Sequence, residues 1–288
     1  MKVMIAYDGS AYADAALDDL RYAGLPREAE ALIVSVGDGL VSTSSSIAEV
    51  VGTALTARRV TSAIAVAREQ AARLLLEARG FASQARRRVL SYFPSWEVRI
   101  RVLEGSPSRE LLREAERWQP DLIVVGSHGR SALGRLFLGS VSKALATKAR
   151  CSVRVGRRED VKSDCAPPRI IVGVDGSPGA AQAVRAVGMR AWPVGTEVRL
   201  IVVDDGSRPT EIAVGARGLL LWEGLNASVE MREGDPRHVL IDEAQEWAAD
   251  SIFVGSHGLD HMDEGSGLGS VSAALVTDAT CSVEVVRS

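Results

Sequence analysis

Aromatic side chains are scarce, at 5% of the 288 residues. Lysine is scarcer: Lys2, Lys143, Lys148 and Lys162 are the only four among 34 basic residues, so the arginine bias reads as genomic composition before function. Three cysteines (Cys151, Cys165 and Cys281) form an odd set without a C-x-x-C, which argues against a disulfide scaffold or a thiolate metal site. Cys151 and Cys281 stand at matching places before apolar strands and are expected as reduced, buried thiols. No apolar run approaches the ~20 residues of a membrane span. With 34 basic and 37 acidic residues the net charge is −3, which gives no general reason to expect nucleic acid or an anionic membrane as partner. The opening Met1–Ser10 reads as a strand and turn and not as a secretory leader, so a cytoplasmic protein is expected.

The chain is one unit written twice. Val125-Gly126-Ser127-His128-Gly129 recurs as Val254-Gly255-Ser256-His257-Gly258. Gly139-Ser140-Val141-Ser142 recurs as Gly269-Ser270-Val271-Ser272, and Cys151-Ser152-Val153 as Cys281-Ser282-Val283. Asp8-Gly9-Ser10 matches Asp175-Gly176-Ser177. The intervals agree as well: 28 residues from Asp8 to Val36 and from Asp175 to Val203, and 21 from Gly105 to Gly126 and from Gly234 to Gly255. The large exception is a crossover, 69 residues from Val36 to Gly105 but 31 from Val203 to Gly234. These repeats predict two domains, 1–156 and 169–288, joined by a polar linker at 157–168.

Within each half, Val/Ile-rich runs alternate with helix-period segments. Strands are predicted at 2–7, 31–36, 97–103, 121–126 and 151–156, and at 169–174, 197–203, 227–232, 250–255 and 281–286. Helices are predicted near 11–23, 62–92, 108–118 and 140–148, and near 178–190, 237–248 and 270–278. Residues 37–61 read as a Ser/Thr/Gly-rich loop, and Pro107 and Pro236 as first helical residues behind capping side chains, Ser106 and Asp235. Nearly continuous apolar strands are covered on both faces, which implies an α/β fold with two tandem, doubly wound parallel sheets. The closing strands 151–156 and 281–286 would each leave an open edge, so the halves are expected to dock there as a pseudo-two-fold pair.

In such sheets ligands bind beyond the carboxyl ends of the strands. There the sequence places Gly126-x-x-Gly129, nine residues, then Gly139-Ser140 opening a helix. Glycines admit close backbone approach, and a helix N-terminus with hydroxyls offers donors to an anion such as phosphate. A tight loop in which Ser140 merely caps the helix has equal standing from one copy; duplication of the hydroxyls favours the anion.

Gly-x-x-Gly, nine residues and Gly-Ser, with the early Asp8, the Gly105-Ser106-Pro107 turn and the Cys-Ser-Val final strand, resembles the universal stress protein family over nearly the whole chain, as a tandem of two such domains. The resemblance implies a five-stranded parallel sheet of order 3-2-1-4-5 in each half, and ATP as ligand, with Mg2+ accompanying its phosphates. Carried over residue by residue, adenine and ribose fall to Ala6, Tyr7, Asp8 and Val36, and the triphosphate to Val125, Gly126, His128, Gly129, Gly139, Ser140, Val141 and Ser142. A weaker second site would use Asp175, Val203, Gly255, Gly258, Gly269, Ser270, Val271 and Ser272.

Asp8 can be a turn residue, an acceptor for the nucleotide, or both. Arg130 and Arg135 flank the first loop and could neutralise a triphosphate, Arg130 the more directly. Arg130–Leu138 carries a formal +2, whereas Leu259–Leu268 carries −3 from Asp260, Asp263 and Glu264. That asymmetry predicts about one nucleotide per chain, in the first half. His128 and His257 read as loop scaffolding, with no metal-ligand spacing around them. There is no P-loop, no dinucleotide fingerprint and no nucleophile elbow, so no catalytic residue is expected. The expected function is a nucleotide-responsive stress or regulatory module with an unidentified protein partner, open to a further homodimer. A slow ATP-hydrolysing or phosphotransfer enzyme and a nucleotide-free scaffold are the alternatives.

Overall fold

The computed structural model of the chain describes residues 1–37, 57–130, 138–157, 166–204, 209–258 and 267–287. The first half contains β1 (Lys2–Ala6), α1 (Ala11–Asp19) with a 3-10 turn (Leu20–Tyr22), β2 (Glu30–Gly37), α2 (Ala57–Tyr92), β3 (Glu97–Glu104), α3 (Pro107–Trp118), β4 (Leu122–Gly126), α4 (Ser140–Lys148) and β5 (Ser152–Gly156). The second contains β6 (Arg169–Gly173), α5 (Pro178–Gly188), β7 (Glu197–Asp204), α6 (Pro209–Trp222), β8 (Asn226–Glu233), α7 (Pro236–Glu246), β9 (Ser251–Gly255), α8 (Ser270–Asp278) and β10 (Ser282–Val286).

All ten strands form one sheet of order β3-β2-β1-β4-β5-β10-β9-β6-β7-β8. Each half has the order 3-2-1-4-5, and its own strands are parallel. The halves meet at β5 and β10, which pair antiparallel with Arg154 opposite Glu284, Val153 opposite Val285 and Val155 opposite Val283. The two exposed edges expected of separate sheets thus satisfy each other.

The pleat sorts the side chains. Alternate residues of a strand point to opposite faces, so Met4 and Ala6 enter one core with Leu111 and Leu145, while Val3 and Ile5 enter another with Leu17 and Val89. The first of these cores is continuous across the junction, because Val153, Val155, Val283 and Val285 all lie in it. On the opposite face the core divides into a cluster under α1 and α2 and a separate one under α5 and α6. Between those two clusters lies a buried polar seam. Arg154 reaches both Asp19 oxygens (Nε–Oδ2 2.6 Å, Nη2–Oδ1 3.0 Å) and Glu284 (3.4 Å). Arg190 pairs with Glu284, and Ser282 Oγ donates to Asp19 at 2.7 Å.

Two helical expectations change. Residues 57–61 belong to α2 and not to a loop, since Ala57, Arg58 and Arg59 are strong helix formers whatever the composition before them. The second crossover keeps a helix, α6, that the sequence pattern does not announce: Gly215 and Gly218 dilute its periodicity, and a Cβ at either would meet nothing within 4 Å among the described residues. What the shorter crossover lacks is length. At 1.5 Å per residue, the 36 residues of α2 span about 54 Å and the 14 of α6 about 21 Å.

Candidate functional site

A cavity of 690 Å3 opens at the carboxyl ends of β1, β2 and β4, within the usual range of small-ligand sites. Ala6, Tyr7 and Asp8 line it from the end of β1, and Val34 to Gly37 from the end of β2. Val125, Gly126, His128, Gly129 and Arg130 line it from β4 and the following loop, and Leu138 to Ser142 from the start of α4. All thirteen first-half positions expected from the sequence therefore border one space.

The glycine loop is held by its own chain. Gly139 N–H donates to Ser127 O at 2.8 Å and Ser142 Oγ donates to Gly126 O at 2.6 Å, so Ser142 ties α4 to the end of β4. Gly139 is the N-cap of α4 and has no side chain to cap it. Ser140 is the first helical residue and not a cap, and its exposed side chain borders the cavity. By contrast, Ser10 and Ser177 cap α1 and α5 through their side chains. Ser106, expected to cap α3, makes no such bond and lines the cavity instead, whereas Asp235 does cap α7.

Asp8 closes the turn after β1: its Oδ1 accepts Ser10 N–H at 3.0 Å and its Oδ2 accepts Arg130 N–H at 3.2 Å. It thereby joins β1 to the glycine loop. Tyr7 donates its hydroxyl to Asp14 at 2.6 Å, and burial, then that bond, raise its pKa. The His128 ring packs tilted against Tyr12, centroids 4.7 Å apart, and places Nδ1 3.1 Å from Ser127 Oγ, while its Nε2 is buried without a partner among the described residues. Burial, then the charge of Arg157, lowers its pKa, so near neutrality the ring carries no positive charge toward the loop.

One wall went unread in the sequence. Leu74, Glu77, Ala78 and Phe81 of α2 face the cavity at helical spacing. Arg130 pairs with Glu77 at 3.0 Å and lies 5.1 Å over the Phe81 ring, so its charge is already shared with α2. The i, i+3, i+4, i+7 pattern was legible; which face it met was not. Arg135 and most of the two loops whose charges differ lie outside the described residues.

The second half repeats the arrangement. Asp175 Oδ1 accepts Ser177 N–H at 2.9 Å, and a Cβ on Gly258 would stand 2.7 Å from Asp175 Oδ2. Gly269 N–H donates to Ser256 O at 2.8 Å, and Ser272 Oγ donates to the same carbonyl at 2.9 Å. Gly255 ends β9, Gly269 is the uncapped N-cap of α8, and Ser270 and Val271 begin that helix. Val203 is half-buried near the end of β7. Among the described residues, no group of three or more His, Cys, Asp or Glu could hold a metal ion, and no helix is long and apolar enough to cross a membrane.

The half-buried thiols are kept protonated. Burial pushes Cys151 up to about 11 and Cys281 up to about 12. Since the thiolate is the nucleophile, both should resist iodoacetamide at pH 8 in the folded protein and label on unfolding, as peptide mass spectrometry would show. Unfolded cysteine ionises near pH 8.5. Above about pH 9 the unfolded chain therefore sheds more protons than the native one, and these groups lower stability as pH rises.

The profile of the universal stress protein family matches residues 1–157 and 211–287. A universal stress protein of Mycolicibacterium smegmatis is 30% identical over 207 residues, covering 66% of this chain and 69% of the relative. One of Mycobacterium tuberculosis is 31% identical over 196 residues, covering 62% and 64%. The chain thus spans about two thirds of each relative's length. The crystal structure of a universal stress protein from Archaeoglobus fulgidus superposes with a TM-score of 0.67, covering 99% of this chain and 98% of that one, at 21% identity that bears on fold alone. With this sheet order and this family match, the chain belongs to the universal stress protein family.

Proposed function

We propose that the protein binds ATP in the first-half cavity and serves as a nucleotide-responsive regulatory module of the stress response. One observation carries the reading: the uncapped N-terminus of α4 and the glycine loop open into the same 690 Å3 space as the ends of β1 and β2. The first-turn N–H groups of a helix lack intrahelical partners and sit at its positive end, which suits a polyphosphate. Val34, Val36 and Leu111 supply apolar wall, and Asp8 supplies acceptors, for a base and ribose. Ser140, the N–H groups of Val141 and Ser142, and the Gly126–Gly129 backbone would hold the phosphates.

Mg2+, if it accompanies the nucleotide, would arrive on the phosphates, because among the described residues no group of three or more His, Cys, Asp or Glu could hold it. The reading is binding and not turnover: among the described residues the loop imidazole, His128, faces Tyr12 and Ser127 and is not placed to activate water. The domain limits 1–156 and 169–288 and the lower affinity of the second site belong to the same proposal. Heat-denaturing gently purified protein and chromatographing the released nucleotide should yield about one adenine nucleotide per chain. Calorimetry should show that affinity drops at least tenfold in Ser140→Ala with Gly129→Ala, and is unchanged in Ser270→Ala with Gly258→Ala. Absence of nucleotide together with no heat of titration would overturn the reading.

A further inference from the structure

Two arginines follow the pair of central strands by a residue. Arg157 comes after β5 and Arg287 after β10. Each donates its backbone N–H to a serine of the other half's closing strand, Arg157 to Ser282 Oγ and Arg287 to Ser152 Oγ, both at 3.1 Å. Because β5 and β10 are antiparallel, each arginine emerges where its own half ends its strands and the other half begins them.

There each guanidinium meets the end of the other half's glycine-loop helix. Arg157 Nη2 donates to Val276 O of α8, and Arg287 Nη2 donates to Ala146 O at 2.5 Å and Thr147 O at 3.5 Å in α4. The last carbonyls of a helix lack intrahelical donors and carry its negative pole, which a cation satisfies on both counts. The same helices begin at Ser140 and Ser270, on the two glycine loops.

Each arginine is also tied to the glycine loop of its own half. Arg157 follows Gly156, which is in register with Gly126, and its charge reaches His128. Arg287 follows Val286, whose carbonyl accepts the N–H of Ser256 at 3.2 Å. Both guanidinium groups leave a buried Nη1 without a partner among the described residues. A buried donor without an acceptor is costly, and its presence in both half-buried arginines at equivalent positions points to the carbonyl contacts as their role.

We infer that Arg157 and Arg287 are positioning residues, each fixing the far end of the opposite half's glycine-loop helix so that the two loops form one linked pair. Loop and helix in one half then cannot shift without moving the arginine that braces the other. The consequence for ligand binding rests on the nucleotide reading above; the mechanical link does not. By thermodynamic reciprocity, occupation of either loop changes the affinity of the other by the same factor.

The test uses hydrogen exchange and calorimetry on the full chain, with Arg287→Met, Arg157→Met and the charge-keeping Arg287→Lys. Methionine keeps an apolar stem without the cation. Arg287→Met should speed amide exchange along α4 as far as Lys143, the first helical donor, whose N–H reaches Gly139 O at 2.9 Å, about tenfold, while β7 and β8 keep their rates. It should weaken ATP binding to the first half about fivefold, the low end of ordinary coupling. Arg157→Met should do the same to α8, and Arg287→Lys should restore at least half of the lost protection in α4. A change confined to the carbonyl end at Thr147–Ala149, or one equal over the whole chain, would overturn the inference, because loose capping or global destabilisation would then suffice. ATP affinity equal to wild type in Arg287→Met would overturn it too. A wild-type chain that takes up no ATP, with the exchange defect still reaching Lys143, would support the link and remove only the nucleotide reading.

Discussion

Replacing Arg154 with leucine should cost the folded protein about 3–5 kcal/mol, the range for breaking one partner out of a buried ion pair. Arg154 is fully buried, as are Asp19 and Glu284, and Arg190 is nearly so. The four form a neutral set in which Arg154 satisfies both oxygens of Asp19 and one of Glu284. Without it, two carboxylates share one remaining arginine in a place that water does not reach. Part of Asp19 would still be met by Ser282 Oγ, which keeps the loss from growing further. Urea unfolding of Arg154→Leu beside wild type would measure it, with Arg113→Leu, an exposed i, i+3 partner of Glu110, expected to change stability by less than about 1 kcal/mol. A further variant with Asp19→Leu added should recover much of the loss, since exchanging a buried pair for apolar groups is often neutral. If Arg154→Leu unfolded like wild type, the seam would contribute nothing to joining the halves.

Gly126→Val should be nearly as damaging, by about 3 kcal/mol, through overpacking. A Cβ at Gly126 would stand 2.6 Å from the Tyr12 carbonyl carbon and oxygen and 2.9 Å from Ala13 N, all backbone of α1. Backbone cannot step aside as a side chain can, so α1 would have to lift from the sheet, taking Ala13, Ala16 and Leu17 out of their core. Gly255 meets the same limit, its Cβ standing 2.5 Å from the Gly179 carbonyl carbon. Gly129 is different. Among the described residues its Cβ would approach only the Asp8 side chain, at 3.2 Å. Gly129→Ala should therefore leave thermal unfolding within a few degrees of wild type, and any loss of ATP binding in it reports on the loop itself. Equal unfolding curves for Gly126→Val and wild type would refute the packing argument.

Gly126 shows what the sequence could and could not convey. Its position at the end of a strand and its recurrence as Gly255 marked a close approach of some kind; that the near neighbour is helix backbone as well as cavity required the packing. The parallel α/β class and the meeting of the two closing strands were legible because Val/Ile runs recur at equal intervals in both halves, whereas the strand order 3-2-1-4-5 came from the family resemblance. The thirteen first-half positions share a cavity because they lie at the carboxyl ends of β1, β2 and β4 or at the start of α4, all on one side of the sheet. The α2 wall was hidden, since Leu74, Glu77 and Phe81 lie inside the long crossover, 24 residues or more from the nearest motif, Gly105-Ser106-Pro107. So was the buried seam. Nothing local distinguishes Asp19 or Arg190 from a surface charge until the register of β5 with β10 sets Arg154 against Glu284. α2 starts at Ala57, before the expected 62, because helix propensity at 57–61 prevails over the Ser/Thr/Gly-rich composition that precedes it.

That central rung has a consequence for inheritance. A duplicated domain begins as two identical copies, and identical copies can pair first with first, second with second, or first with second. Here a symmetric partnership of two first halves would set Arg154 against Arg154, and one of two second halves Glu284 against Glu284, each a like-charge pair directly across antiparallel strands. Only the mixed partnership neutralises the rung. The copies have diverged into complementary sexes of the same fold. Should two chains ever exchange halves, the exchanged assembly must still be built from unlike pairs, and neither copy can return to the life of a free-standing domain that dimerises with itself.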